Sequence, residues 1–396
     1  MVTLARLGKN HRLATANRTP RGGSTVAGMK IAINALPVGP GMTGIGAYTA
    51  ALVAATRAAG GPHEYVYVTA DPSRLAAVAG GPVATLAPDG PPWLWEQLQL
   101  GQALRRRGVG LYHSPLFTCP LVPEVPSLVT VHDAIPVTRP DLCSPAFLAF
   151  WQRCAGPALR AARRVLTVSE FSRQELVTHL GLAPAQVGVV YQGLGAQFRP
   201  VGAEAVAAAR RQFGLPPAYV LYVGLVEARK NVAGLVAALG LLAAELPDLH
   251  LVLVGRREGP GQAALDEVAA QPVLAGRLHW PGYVADDVLP ALYAGARVFA
   301  FPSLYEGFGR PVIEAMAVGT PVLAAATTAL PEIAGDAALL TEPTPAALAA
   351  GLRRLWTDES LRADLRARGL ARAREFTLAQ FGARLAAFYT ETAGGP

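Results

Sequence analysis

The sequence predicts an α/β protein built as two doubly wound, parallel-sheet domains that face each other across a central cleft. Three observations predict it. At 396 residues the chain is longer than one hydrophobic core usually serves. Short apolar runs alternate with helical patterns throughout. The alternation restarts after a stretch of Gly, Pro and polar residues at Gly193–Gly202.

In the first half, Lys30–Leu36 reads as a strand, followed by a Gly-rich loop and a helix from about Ala47. Tyr65–Val68 is a second strand. Ser127–Val131 is a buried strand ending at His132 and Asp133. Arg164–Val168 ends where Ser169–Ser172 opens a helix, and Val187–Tyr191 closes the unit. The second half has strands at Tyr219–Val223, Leu249–Val254, Val298–Phe301 and Pro321–Ala324. Leu352–Tyr389 reads as helical. The expected division is 29–198 and 199–375, with a helix at about 376–391 able to pack back on the first domain. In such sheets ligands sit beyond the carboxyl ends of the strands, so strand-end residues facing the cleft are the candidates for chemistry.

Composition narrows the function classes. Half of the residues are apolar and the formal net charge is +7. That charge suits phosphorylated substrates or an anionic lipid surface. The Arg residues are scattered, without a basic run interleaved with aromatics, so no nucleic-acid partner is expected. Cys119, Cys143 and Cys154 lack metal-ligand spacing, which points to a reducing compartment and no structural metal. The longest apolar run, Val232–Ala244, is short of a membrane span. Residues 1–28 have no apolar segment of the secretory kind and are expected to be a disordered or non-native extension before Met29.

Pro302–Pro321 concentrates chemistry. Gly307 and Gly309 permit a tight loop after a strand, Pro311 suits a first helical turn, and Gly319 suits the residue past the helix end. The amides around Phe308, Gly309 and Arg310 then form an anion-binding helix N-terminus. Glu306 and Glu314 lie beside it, and carboxylates accept hydrogen bonds from sugar and ribose hydroxyls. The bland reading of Glu314 is an acidic residue favoured by the helix dipole. Arg229 and Lys230 stand at the start of the Val232–Glu245 helix and suit a diphosphate, or form a solvated surface pair. Lys230 is one of only three Lys, with Lys9 and Lys30. His132, at a strand end, is a catalytic candidate or a hydrogen-bonded structural residue.

The Glu306-x7-Glu314 block resembles family 4 of the retaining glycosyltransferases. Further segments fall in that family's order: Gly44–Tyr48 with Gly44 and Gly46, Trp93–Gln97, Tyr112–Pro115, Val131–Pro136, Val168–Ser172, Gly224–Asn231 and Pro281–Val284. The resemblance covers about residues 30–390. It implies the GT-B architecture, two Rossmann-like domains, and no divalent metal or bound cofactor. It implies a nucleotide diphosphate sugar on the second domain and a glycan or lipid-linked acceptor on the first. By resemblance, Lys230 and Arg229 grip the diphosphate, Glu306 the sugar and Glu314 the ribose; Tyr283 and Val284 stand at the base, and His132 near the reacting carbon. The first-domain segments most resemble bacterial mannosyltransferases of surface polysaccharide synthesis, which favours GDP-mannose. A cytoplasmic location follows, with peripheral membrane contact through Trp93, Trp95 and Arg105–Arg107 as a further expectation. Three departures stand out: Leu225 where many members have Arg, Arg310 where an apolar residue is usual, and Ala324–Ala326 where a Ser or Asn usually follows the strand.

Two alternatives stay open on the residues alone. Gly39, Gly41 and Gly44 spell the dinucleotide-binding glycine pattern, with Asp71 after the next strand as a ribose-binding acid, which would suit an NAD(P)-dependent oxidoreductase. A non-catalytic sugar-nucleotide binder is the other.

Overall fold

The computed structural model describes residues 28–39, 42, 44–256 and 261–394. Residues 1–27 of the expected N-terminal extension lie outside the described residues, as does Gly41 of the alternative glycine loop. Within the rest, two wholly parallel sheets form. The first carries β1 (Lys30–Asn34), β2 (Glu64–Val68), β3 (Thr85–Leu86), β4 (Leu111–Ser114), β5 (Ser127–Thr130), β6 (Arg164–Thr167) and β7 (Val187–Val189). Their order is β3-β2-β1-β4-β5-β6-β7. The second carries β8 (Val220–Val223), β9 (Leu251–Val254), β10 (Leu278–Gly282), β11 (Val298–Phe301), β12 (Val322–Ala325) and β13 (Leu339–Thr341), in the order β10-β9-β8-β11-β12-β13.

Each sheet reverses its order once, between β1 and β4 and between β8 and β11. At such a reversal the flanking connections leave in opposite directions, and a crevice opens beyond the strand ends. The central strands are buried along their length because helices cover both faces. β4, β5, β9 and β11 are buried at every position.

Several elements differ from the sequence reading. The first helix begins at Gly44 rather than about Ala47. The all-apolar helix after Lys230 ends at Leu242, short of Glu245. β4 coincides with the Tyr112–Pro115 motif, which gave no separate strand signal because Gly108 and Gly110 interrupt its lead-in. β3 has two residues and β13 three, too short for a period to show. β10 is an edge strand that contains Pro281, and its register shifts between His279 and Gly282, as an edge tolerates.

The Leu352–Tyr389 stretch is not one helix. Pro345–Thr357 and Glu359–Ala373 are separated by Asp358, whose carboxylate caps the second by accepting from Leu361 N at 2.9 Å. The last helix, Leu378–Gly394, returns to the first sheet and packs on the Gly44–Ala58 helix. Tyr389 donates or accepts at His113 Nδ1 (2.7 Å), and His63 Nε2 meets Thr390 Oγ1 at 3.1 Å. At Gly382 a Cβ would lie 2.6 Å from Ala55 O, so glycine sets how closely these helices approach. The chain therefore crosses between the two sheets twice, and no described helix is long and apolar enough to cross a membrane.

Candidate active site

The loops after β8 and β11, at the second sheet's reversal, meet over a buried ionic cluster. Lys230 Nζ donates to Glu306 Oε1 at 2.5 Å, and Arg229 Nη1 donates to the same oxygen at 3.2 Å. Arg229 Nε also pairs with Glu227 at 3.0 Å. A short turn, Ala228–Lys230, presents these cations, and Asn231 ends it in the left-handed conformation at φ 54°. Asn tolerates that region because its short amide bonds locally, here to Pro302 O and Pro343 O. Burial pushes the Glu306 carboxyl up, but Lys230 and Arg229 outweigh it and hold the group below its ordinary value. Burial pushes the Lys230 ammonium down, opposed by Glu306. Sequence reasoning gave the cations to phosphate and the carboxylate to sugar. The fold makes them one cluster, in which two cations face two carboxylates.

The loop after β11 then turns toward the first domain. Ser169 Oγ donates to Gly307 O at 2.7 Å, and Ser172 Oγ donates to His132 O at 3.1 Å. A Cβ on Gly307 would lie 2.2 Å from His132 O, so only glycine permits this approach of the two domains. The backbone N–H groups of Phe308 and Gly309 donate to no described group, while the Arg310–Val318 helix starts just beyond them. That leaves orphan donors at a helix N-terminus. The Phe308 ring itself points away, packed on Tyr191 and Phe376.

His132 faces this loop from the end of β5. Its Nε2 is 3.1 Å from Pro115 O, and its ring meets Tyr48 edge-on at 4.7 Å. Burial lowers it to about 4, so it stands neutral near pH 7. Asp133 caps the next turn by accepting from Ile135 N at 3.2 Å.

Glu314 lies at the fifth helical position, not in the first turn, and its carboxylate is already engaged. Arg310 Nε donates to Oε1 at 2.8 Å and Tyr293 OH to Oε2 at 2.9 Å. Arg310, the unexplained departure, is thus the partner of Glu314. Val284 is buried and Tyr283 is exposed. Gly44 has open space around its Cα, whereas Gly46 is closed off by Pro37 O at 2.8 Å from a built Cβ. Trp95 is buried and only Trp93 of that pair is exposed, which corrects the expectation of an exposed tryptophan pair. Asp71 caps the Pro72–Ala79 helix by accepting from Arg74 N at 2.9 Å, a helix-capping role in place of a ribose-binding one. Among the described residues, no group of three His, Cys, Asp or Glu side chains is placed to hold a metal ion.

Sequence reasoning missed two supports. Thr328 takes φ 51°, rare for a β-branched residue, and its Oγ1 accepts from Glu306 N at 2.9 Å. Glu332 of the second domain accepts from Glu170 N (2.7 Å) and Phe171 N (2.9 Å) at the start of the Glu170–Leu180 helix, and from Tyr191 OH (2.8 Å). An acid after a Pro in a short helix carries no local sign of docking on another domain. Glu332→Ala should weaken closure by about 2 kcal/mol, roughly thirtyfold in the closure equilibrium. A larger radius of gyration in small-angle scattering checks this, and an unchanged radius refutes it.

Comparisons with known proteins bear on the family and the fold. The family description "Glycosyltransferase Family 4" matches residues 42–197, and "Glycosyl transferases group 1" matches residues 207–372. The O-antigen chain mannosyltransferase B of Escherichia coli is 32% identical over 277 residues, 69% of this chain and 72% of that protein. The serotype-specific mannosyltransferase WbdA of the same organism is 29% identical over 255 residues, and the match spans 31% of its length. Anabaena HepE, solved in complex with UDP and glucose, superposes with a TM-score of 0.73 at 20% identity, covering 92% of this chain and 100% of its own. Neither the oxidoreductase nor the non-catalytic alternative finds support among them. With both halves matched in order and the two-sheet fold shared, the chain belongs to glycosyltransferase family 4 and is a glycosyltransferase.

Proposed function

We propose that the protein transfers mannose from GDP-mannose to a hydroxyl of a glycan or lipid-linked acceptor, with retention at the anomeric carbon and without a divalent metal. The observation that carries this reading is the cluster of Lys230, Arg229 and Glu306 beside the free amides of Phe308 and Gly309, at the second sheet's reversal. Fixed cations and oriented amides stabilise charge as it grows on a leaving diphosphate, which is the largest electrostatic demand of this chemistry. Glu306 accepts from sugar hydroxyls, and Glu314, held by Arg310 and Tyr293, keeps lone pairs for ribose. Neutral His132, whose Nε2–H donates to Pro115 O, accepts a hydrogen bond at Nδ1 near the reacting carbon from the acceptor side. Mannose is favoured by the mannosyltransferases among the relatives.

The donor is tested by thermal shift against GDP, UDP and ADP. A ligand at a hundred times its Kd stabilises by about 2.7 kcal/mol, a clear rise in Tm. GDP is expected to give that rise, and stabilisation by UDP alone overturns the mannose reading. Proton NMR of the first-formed product should show the donor's anomeric configuration.

A further inference from the structure

The first sheet has a reversal of its own, between β1 and β4, which the donor cluster does not use. A cavity of about 590 Å³ opens there, within the ~300–1,000 Å³ range of small-molecule sites. Both strand ends line it: Asn34 at the end of β1 and Leu36 beyond it, Leu116 and Thr118 from beyond β4. It adjoins the catalytic cleft. Pro115, next to Leu116, holds His132 Nε2 through its carbonyl, and Gly46 of the cavity wall is two residues from Tyr48, which packs on the His132 ring.

Four cavity residues come from one helix, Pro92–Leu98, and two of them, Glu96 and Trp93, differ in chemistry. Glu96 is 8% exposed and Trp93 is 70% exposed. Glu96 Oε1 accepts from Tyr112 OH at 2.8 Å. A carboxylate has about four acceptor positions, so capacity remains beyond that bond. Gln97 beside it is tied to the wall on both sides, its amide donating to Cys119 O at 3.0 Å and accepting from Leu121 N at 3.0 Å, so one N–H and one lone pair remain. A carboxylate kept within largely apolar walls is costly unless something donates to it. An alkyl chain donates nothing. A pyranose presents hydroxyl donors at its edge and an apolar C–H face that suits the Trp93 ring.

We propose that this cavity is the acceptor pocket and that it binds a pyranose saccharide, with Glu96 accepting from its hydroxyls and Trp93 covering a ring face. The proposal rests on the transferase reading above and adds the residues that select the acceptor.

The test uses the full chain with saturating GDP and methyl α-mannobioside as the saccharide probe. Titration is expected to change tryptophan emission in the wild type, and Trp93→Phe should abolish most of that change. Glu96→Gln, which keeps an acceptor for Tyr112, should weaken the saccharide Kd at least about tenfold, on the scale of losing a hydrogen bond to a charged group. Acceptor KM should rise by the same factor, and the GDP thermal shift should be unchanged. Equal saccharide binding by Glu96→Gln and wild type, or none by wild type, overturns the proposal. So does an octyl α-mannoside whose binding is weakened by Phe150→Ala, a change in the cavity's apolar wall, but not by Glu96→Gln, since the cavity would then house the alkyl chain. Loss of the GDP shift in wild type would discard the donor reading instead, while the saccharide titration still reports on the pocket.

Discussion

Lys230→Ala should lower kcat at least about a hundredfold, the scale of losing one charge-stabilising group in a transition state. The ammonium is buried, and it reaches Glu306 Oε1 at 2.5 Å from the loop where the diphosphate would sit. Removing it leaves Arg229 to neutralise Glu306, so the fold should survive. Glu306→Ala should cost as much in turnover and more in stability. It strips buried Lys230 of its carboxylate and leaves half-buried Arg229 only Glu227, and breaking a buried pair from one side costs about 3–5 kcal/mol. The two variants thus separate by melting temperature while agreeing in rate. Steady-state transfer assays with thermal melts check both. Near-normal turnover in either would discard the assignment of this cluster to the donor.

Gly307→Ala should reduce transfer about a hundredfold without disturbing either sheet. A built Cβ would lie 2.2 Å from His132 O and 2.9 Å from Asp133 Cβ, and both partners belong to the other domain. The backbone at this point cannot yield locally, because Ser169 and Ser172 bind Gly307 O from the same side. The domains must therefore separate by about 1 Å at the cleft, a misplacement that can cost about a hundredfold in rate. GDP binding, which uses the second domain, should change little. Transfer kinetics beside the GDP thermal shift would show this split. A fall in both, or in neither, would mean that the contact does not govern closure.

Much of the molecule was legible in the chain itself. Continuous apolar runs between helical patterns mark strands covered on both faces, which is why β5, β8 and β11 were readable within a residue or two. The Gly307–Gly319 spacing revealed a strand, a tight loop and a helix N-terminus, because Gly and Pro have narrow positional meanings. The Asp71 reading failed for the opposite reason. A carboxylate after a strand is chemically the same whether it caps a helix or binds a ribose, and only the 2.9 Å bond from Arg74 N distinguishes them.

The sequence by itself determined which segments form two parallel sheets and which loops carry charge to the strand ends. Tertiary structure alone decided the pairings. Lys230 and Glu306 are 76 residues apart in the chain, Arg310 claims Glu314, and Glu332 docks on a helix 162 residues away. It also decided that the last helix returns to the first sheet, and that Trp95 is buried while Trp93 stays at a cavity mouth. Periodicity and turn chemistry are local signals. A buried charge chooses its partner by proximity in space, after the sheets have fixed which loops meet.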